Sequence, residues 1–243
     1  MKLIVLGSSS SANGYILLSD SGEKLILEAG MKVIEYKKAL NFNIDGIRAC
    51  VVTHAHRDHS ASVPDFFRMG VPILAPLHVF ESFDMNPGIV AETLKKYNFG
   101  GFSIIPFHAF HDVPCVGYFI HHAEMGNLVF LTDSFMSEHI FKGVNHFLVE
   151  CNYSDEALQA AIDAGQTPPL MRNRLMLTHM ELKTLERFLL SHDLSGVYNI
   201  ILIHLSKFNS DKKQLTDTLA SATGRYILIA EAGLEVTLNK NPY

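Results

Sequence analysis

Residues 53–60 read Thr-His-Ala-His-Arg-Asp-His-Ser, so His54, His56, Asp58 and His59 fall within six positions. Imidazole and carboxylate at that density suit a divalent cation, because neutral imidazole nitrogens and carboxylate oxygens are donors that zinc, manganese and iron accept. In an extended segment residues two apart face the same way, so His54 and His56 can grip one cation, while Asp58 and His59, past a bend, reach toward a second. In a chain with 13 histidines among 243 residues, such a His-x-His-x-Asp-His string arises by chance in about two sequences per thousand. The plainer alternative is a solvated, histidine-rich turn. The apolar run Ala49-Cys50-Val51-Val52 leads in and Pro64 opens a helix candidate, so the four side chains are predicted to sit on a turn at the end of a buried strand.

Other residues repeat this placement. His111-Asp112 follows a strand candidate over Phe102 to Pro106, Asp133 ends the run Leu128-Val129-Phe130-Leu131-Thr132, and His204 ends Ile200-Ile201-Leu202-Ile203. Each alone is ambiguous, since a single histidine at a strand end is more often structural. Together and in this order they resemble the signature of the metallo-β-lactamase-fold hydrolases. The resemblance implies an α/β, four-layer αββα sandwich carrying two divalent metal ions, zinc first, with manganese or iron as alternatives. It implies that His54, His56 and His111 hold metal one, that Asp58, His59 and His204 hold metal two, and that Asp133 bridges them.

Within that superfamily the chain resembles the bacterial YycJ-type (WalJ) hydrolases, which are related to the tRNase Z and phosphodiesterase branches. The Gly7-Ser8-Ser9-Ser10-Ser11-Ala12-Asn13-Gly14 stretch looks like their Gly-Ser-rich loop, whose hydroxyls and free N–H groups suit an anionic oxygen, though Ser-rich turns are usually plain loops. Val149-Glu150-Cys151-Asn152 and His204-Leu205-Ser206-Lys207-Phe208-Asn209 continue the likeness. Ala12 stands where that group usually has Gly, and Glu28 and Glu231 where Asp is common, so a carboxylate that supports the metal ligands is expected to be displaced. His179, in Leu177-Thr178-His179-Met180-Glu181-Leu182, occupies the position of a further active-site histidine in the tRNase Z-like and phosphodiesterase relatives. It joins Asp58 as a catalytic residue, one able to protonate a leaving alkoxide; the other reading is a helix cap or a solvent-facing side chain. His78, His108, His121, His122, His139, His146 and His192 receive no role, and His108 is close enough to His111 to exchange with it.

The elements that must position these groups alternate strand and helix. Strands are predicted at Lys2 to Leu6, Tyr15 to Ser19, Lys24 to Glu28, Arg48 to Val52, Val116 to His121, Leu128 to Leu131, Phe147 to Glu150, Tyr198 to Ile203, Tyr226 to Ile229 and Glu235 to Leu238, with Ser19-Asp20-Ser21-Gly22 as a hairpin turn. Helices are predicted at Met31 to Leu40, Pro64 to Met69, Ser154 to Ala164, Leu182 to Ser191 and Asp211 to Ser221, with Ser154 and Asp211 as caps. A faint internal repeat relates Leu25-Ile26-Leu27-Glu28-Ala29-Gly30 to Ile227-Leu228-Ile229-Ala230-Glu231-Ala232-Gly233.

With 48% hydrophobic residues the 243-residue chain can bury one enzyme-sized core, read as a single domain over residues 1–243. No stretch approaches the ~18 apolar residues of a membrane span and no signal core is visible, so a cytoplasmic protein without a membrane partner is expected. Cys50, Cys115 and Cys151 form an odd set without paired spacing, read as reduced core thiols; Cys115, four residues after His111, is also a conceivable ligand. A net charge of −5 gives no footprint for tight nonspecific nucleic-acid binding. The 70 residues between Asp133 and His204 leave no room for the large inserted domain of RNase J and the cleavage and polyadenylation nucleases. Two divalent ions against Asp58 and Asp133 still leave about +2 in the cleft, which draws a phosphate. The expected activity is hydrolysis of a small phosphodiester or a nucleic-acid end by a metal-bridging hydroxide. The alternatives are a lactone, thioester or carboxyl-ester hydrolase on the same metals, a di-iron redox protein, or a noncatalytic metal-binding protein.

Overall fold

The computed structural model describes residues 1–240. Two sheets of seven strands each are built twice on one plan. In the first, β1 (Lys2–Ser9), β2 (Ala12–Leu18) and β3 (Lys24–Leu27) form an antiparallel meander. The chain then crosses through α1 (Val33–Ala39) to β4 (Ile47–Val51), through α2 (Arg57–Ser60) and α3 (Val63–Arg68) to β5 (Ile73–Ala75), and through α4 (Leu77–Glu81) to β6 (Ile89–Val90), all parallel to β3. The second sheet repeats the scheme. β7 (Tyr97–Phe99), β8 (Phe102–Ala109), β9 (Cys115–His122) and β10 (Gly126–Leu131) are antiparallel. β11 (His146–Glu150), β12 (Asn199–Ile203) and β13 (Ile227–Ile229) continue in parallel, with α5 (Asp155–Asp163), α6 (Met171–Thr178) and α7 (Leu182–Leu190) between the first two and α8 (Lys212–Thr223) between the last two. β14 (Glu235–Thr237) returns to pair with β1.

Side-chain alternation explains why the sheets stack face to face. Along β1 to β4 the odd-numbered residues Leu3, Val5, Tyr15, Leu17, Leu25, Leu27, Ala49 and Val51 point into one core, which they share with Phe102, Ile104, Tyr118, Ile120, Leu128, Phe130 and Leu148 from the other sheet. The even-numbered Ile4, Ile16, Ile26 and Cys50 face outward onto Tyr36 of α1 and Val63 and Phe66 of α3. On the far side Val129, Leu131, Phe147, Val149, Ile200 and Leu202 meet Leu182, Leu185 and Leu189 of α7 and Leu215 and Leu219 of α8. A period of two with both faces apolar demands a cover on each side, and the result is the four-layer αββα sandwich that the sequence suggests.

The predicted strands and helices are all present, with ends shifted by a few residues. Ser154 and Asp211 cap α5 and α8 by accepting from the N–H groups of Ala157 and Gln214. Gly22 closes the β2–β3 turn at φ 87° by donating to the Ser19 carbonyl. Two expectations need correction. The repeat between Leu25–Gly30 and Ile227–Gly233 does not follow the architecture: in the shared plan β3 corresponds to β10, and β13 corresponds to β6. The Gly7–Gly14 stretch is mostly strand, because Gly7, Ser8 and Ser9 pair with Gly14, Asn13 and Ala12, leaving only Ser10 and Ser11 as a turn. No helix among the described residues is long and apolar enough to cross a membrane.

One histidine without a role in the site makes a stability test. His146 is fully buried, its Nε2–H donates to the Met125 carbonyl at 3.0 Å and its Nδ1 accepts from Asn199 Nδ2 at 3.0 Å, so the neutral ring satisfies both partners. Burial pushes its pKa down from 6.5 to about 4. The unfolded chain therefore takes up the proton first, and stability falls as the pH drops from about 6.5 toward 4, by about 3 kcal/mol at the limit. The urea midpoint should fall from pH 7.5 to pH 5, and His146→Phe, though less stable at pH 7.5, should show a shallower fall; equal slopes would remove His146 from the acid response.

Candidate metal centre

The site lies where strand ends of both sheets converge. β4 delivers His54, and α2, opening at Arg57, turns Asp58 and His59 back over it. The β8–β9 loop supplies His111, the end of β10 supplies Asp133, and the end of β12 supplies His204. Asp133 and His204 hold φ of 49° and 54°, and Glu28, at the end of β3, holds 64°. L-residues avoid this region, and such strain of order 1–3 kcal/mol each is kept where it aims a functional side chain.

Two donor sets form. His54, His56 and His111 offer ring nitrogens lying within 4.8 Å of one another, as do the donor atoms of Asp58, His59 and His204. Asp133 belongs to a third group with His54 and His59 and to a fourth with Glu150, His179 and His204, so it faces both sets. Its Oδ2 lies 3.1 Å from His59 Nε2 and its Oδ1 4.0 Å from His111 Nε2. All seven residues expected as ligands are thus brought to one place. His108 is not among them, since it pairs with Val116 on β8 and its ring faces Phe110. Cys115 is buried, with Sγ 3.9 Å from the Asp133 carbonyl, and joins neither set.

Hydrogen bonds on the far side of the rings decide the tautomers. Thr53 Oγ1 donates to Glu28 Oε1 at 2.6 Å and therefore accepts from His54 Nδ1–H at 2.9 Å. His111 Nδ1–H donates to the Thr178 carbonyl at 3.0 Å, and His204 Nδ1–H to Glu150 Oε1 at 2.9 Å. His54 and His111 are left with the Nε2 lone pair turned into the cluster, His204 aims its Nε2 the same way, and the buried Nε2 atoms of His54 and His204 have no hydrogen-bond partner. Leaving such atoms unpaired costs about 1–3 kcal/mol apiece. An imidazole held through Nδ1 with a bare Nε2 aimed at like neighbours is the arrangement of a metal ligand, so the residues present fit two cations.

The charges agree. Burial pulls His54 and His111 down, keeping these rings neutral and ready to bind. Burial also acts on His59 and His204, but the carboxylates of Asp133, Asp58, Glu28 and Glu150 outweigh it; His59 rises well above its usual range and His204 reaches about 10. Asp133 and Asp58 resist the upward push of burial because these imidazoles hold them low. Protons on His59 and His204 thus stand where the second cation's charge would neutralise the carboxylates.

No family model matches the chain. Its sequence is 24% identical to the exodeoxyribonuclease WalJ of Streptococcus pneumoniae over the whole of this chain and 93% of that protein. It is 26% identical to the exodeoxyribonuclease YycJ of Bacillus anthracis over 71% of this chain and 69% of that one. Among solved structures it superposes on the metallo-β-lactamase fold protein YhfI from Bacillus subtilis with a TM-score of 0.73 at 19% identity, covering 97% of this chain and 98% of that one. The chain has the metallo-β-lactamase fold.

On this fold the open cleft over the two donor sets is lined further by Ser10, Arg57, Arg174 and His179. His179 does not face bulk solvent, but it does cap a helix, as the C-cap residue of α6 whose backbone N–H donates to the Leu175 carbonyl. It follows the last turn of α6, and its Nδ1–H donates to Glu150 Oε1 at 2.8 Å, with Asp133 Oδ1 3.4 Å away. Glu150, the residue whose importance spacing alone does not reveal, is fully buried and also accepts from the N–H groups of Ser134 and Met180, tying β10, β11, β12 and the α6–α7 junction into one support. Asn13 plays a similar part opposite, its amide donating to the Ser9 carbonyl and to Asp58 Oδ2.

The Glu28 departure is absorbed, because this longer carboxylate reaches Thr53 and lies 3.4 Å from His59 Nδ1, so support for the ligands is not displaced there. Glu231 is exposed and pairs with Lys212, and Ala12 begins β2. Behind Asp58, Gly30 is pressed against the metal-binding turn: a Cβ there would overlap the Asp58 carbonyl and stand 2.8 Å from the Asn13 carbonyl. Gly30→Ala should push the turn away, lowering Tm by about 5–10 °C and cutting retained metal at least severalfold. Unchanged metal content and Tm would show that the turn gives way freely.

Proposed function

We propose that the protein is a dinuclear metal-dependent hydrolase acting on phosphodiesters, either small ones or the end of a nucleic-acid strand. The observation that carries the reading is the pair of oriented donor sets side by side, with Asp133 facing both, beneath an open cleft that also presents a histidine and two arginines. His54, His56 and His111 would hold one cation, Asp58, His59 and His204 the other, with Asp133 between them; the mixed imidazole and carboxylate donors suit zinc first, and manganese or iron. Bound there, two divalent cations supply Lewis acidity and lower the pKa of water toward neutrality.

The chain's own groups do the rest. Glu150 fixes the His179 ring through Nδ1, so a proton for the departing alkoxide leaves from Nε2. Burial lowers the His179 pKa, but the Glu150 carboxylate overrides it and raises the ring above its usual value, keeping the acid form loaded near neutral pH. Arg174, an exposed side chain beside Asp112 at the rim, can take a phosphoryl oxygen. That exodeoxyribonucleases share the full length at 24% identity supports a strand end as the substrate. The net charge of −5 confines the attraction to the cleft and argues against tight nonspecific binding to long duplexes, and a cytoplasmic setting fits such a substrate.

The test is a panel of bis(4-nitrophenyl) phosphate, end-labelled single- and double-stranded oligodeoxynucleotides, a lactone and a thioester, each with zinc-, manganese- or iron-loaded protein. Turnover of the phosphodiesters with shortening from one end is expected. Turnover confined to the lactone or thioester would overturn the reading in favour of a carboxyl-ester hydrolase.

A further inference from the structure

A groove of about 370 Å³ opens beside the metal centre, lined by His108, Phe110, His111, Asp112, Pro114 and Phe135 among others. That volume falls within the about 300–1,000 Å³ of ordinary ligand clefts. It shares His111 with the catalytic cleft, so the two are continuous across a single ligand. Its floor is aromatic. Phe110 and Phe135 are only half-buried, their ring centroids lie 5.6 Å apart and tilted by 57°, and the exposed His108 ring meets Phe110 edge-on at 4.6 Å.

These rings are placed by the same loops that carry the ligands. Phe110 precedes His111 and Phe135 follows Asp133 by two residues, and the loops are joined where Phe110 N–H donates to Ser134 Oγ at 2.8 Å and Phe135 N–H to the Phe110 carbonyl at 3.2 Å. A large apolar ring left half-exposed on a rigid loop forgoes burial that the nearby core could supply; Phe107, three residues earlier, is fully buried. The groove therefore presents half-exposed aromatic rings beside the place where a phosphodiester would be held, and nucleobases stack on such rings with little sequence preference.

We propose that the Phe110–Phe135 groove is a nucleobase subsite, holding by stacking the base attached to the phosphodiester in the metal cleft. It rests on the phosphodiesterase reading and narrows it: the substrate is a nucleotide whose base is unpaired at the site, so a frayed or single-stranded end is taken in preference to a closed duplex. Asp112, at the groove's metal side, adds a carboxylate able to accept from a base amino group, while the stack itself distinguishes a base from no base.

The test uses metal-loaded protein and two single-stranded oligodeoxynucleotides that differ only at the terminal nucleotide, one natural and one a tetrahydrofuran abasic analogue. Phe110→Leu and Phe135→Leu keep the apolar volume but remove the ring. Each should lower kcat/KM on the natural end by about 10- to 100-fold, leave kcat/KM on the abasic end within about twofold, and retain wild-type metal content. Wild type itself should prefer the natural end by a similar factor. A 2-aminopurine at the terminus reports the stack independently: its fluorescence should be quenched on binding wild type and not on binding either variant. Equal losses on both ends, or no quenching by wild type that turns the strand over, would overturn the subsite. Absence of turnover on either oligonucleotide, with quenching present, would instead count against the phosphodiesterase reading and leave the base pocket standing.

Discussion

His54→Ala and Asp58→Ala are each expected to lower the bound metal from close to two equivalents and to reduce phosphodiester turnover at least ~10³-fold. His54 contributes a buried Nε2 that has no other partner, held through Thr53 and Glu28, so alanine removes an oriented neutral donor that a loose water does not replace. Asp58 sits between His59 and His204, at 3.2 and 3.5 Å, and alanine there removes the carboxylate of the second set. Elemental analysis and turnover should fall together; full activity after complete loss of metal would sink the mechanism. Chelation should also destabilise the wild type, because cations that bind only the folded chain add RT ln(1 + [L]/Kd), about 4 kcal/mol at a thousandfold excess over Kd. That is on the order of 10 °C in Tm for a chain of this size. Little further loss of Tm on chelating His54→Ala would confirm that both effects come from the same cations.

The candidate ligands were legible in the sequence because four crowd into one His-x-His-x-Asp-His string and the others follow strand candidates. Val51-Val52, Leu128-Val129-Phe130-Leu131 and Ile200-Ile201-Leu202-Ile203 announce buried parallel strands, and the polar residues one or two places beyond such a strand must lie where strand ends converge. What supports the ligands was less legible. Glu150 closes a buried strand and stands in the sequence only as one letter of the Val149-Glu150-Cys151-Asn152 likeness; its five acceptor contacts, from residues as distant as His204, explain it. Arg174 and the helix that carries it were missed because Met171–Thr178 has no apolar face, burying only Leu175 and Thr178. β5 was missed because Ile73-Leu74-Ala75, between two prolines, is too short to show a period. The repeat was misread for a related reason. Equivalence between the sheets lives in strand order and in the positive φ of Glu28 and Asp133 after β3 and β10, not in similar letters. Phe110 and Phe135 gave no signal, since an aromatic beside a ligand is indistinguishable in sequence from an aromatic in a core.

His179→Ala should leave two equivalents of metal in place while lowering turnover of a phosphodiester with a poor leaving group by at least ~10²-fold, and should lower that of an activated nitrophenyl ester much less. The geometry sets up a competing outcome, because His179 also falls in a donor group with Asp133, Glu150 and His204. If the ring were a metal ligand, alanine would cost metal and both substrates would suffer alike. Its Nδ1, however, already donates to Glu150, and Glu150 is committed in turn to His204 and to the Met180 N–H, so the ring is held by the support structure. Its raised pKa is that of an acid with a proton to give. A nitrophenolate departs without that proton and an alkoxide does not, so the ratio of the two losses measures proton donation directly. Glu150 itself cannot serve for this test, since replacing it would also release His204. Equal losses on the two substrates, with metal content intact, would make His179 a positioning residue; no loss on either would leave it structural and weaken the phosphodiester reading against the carboxyl-ester one.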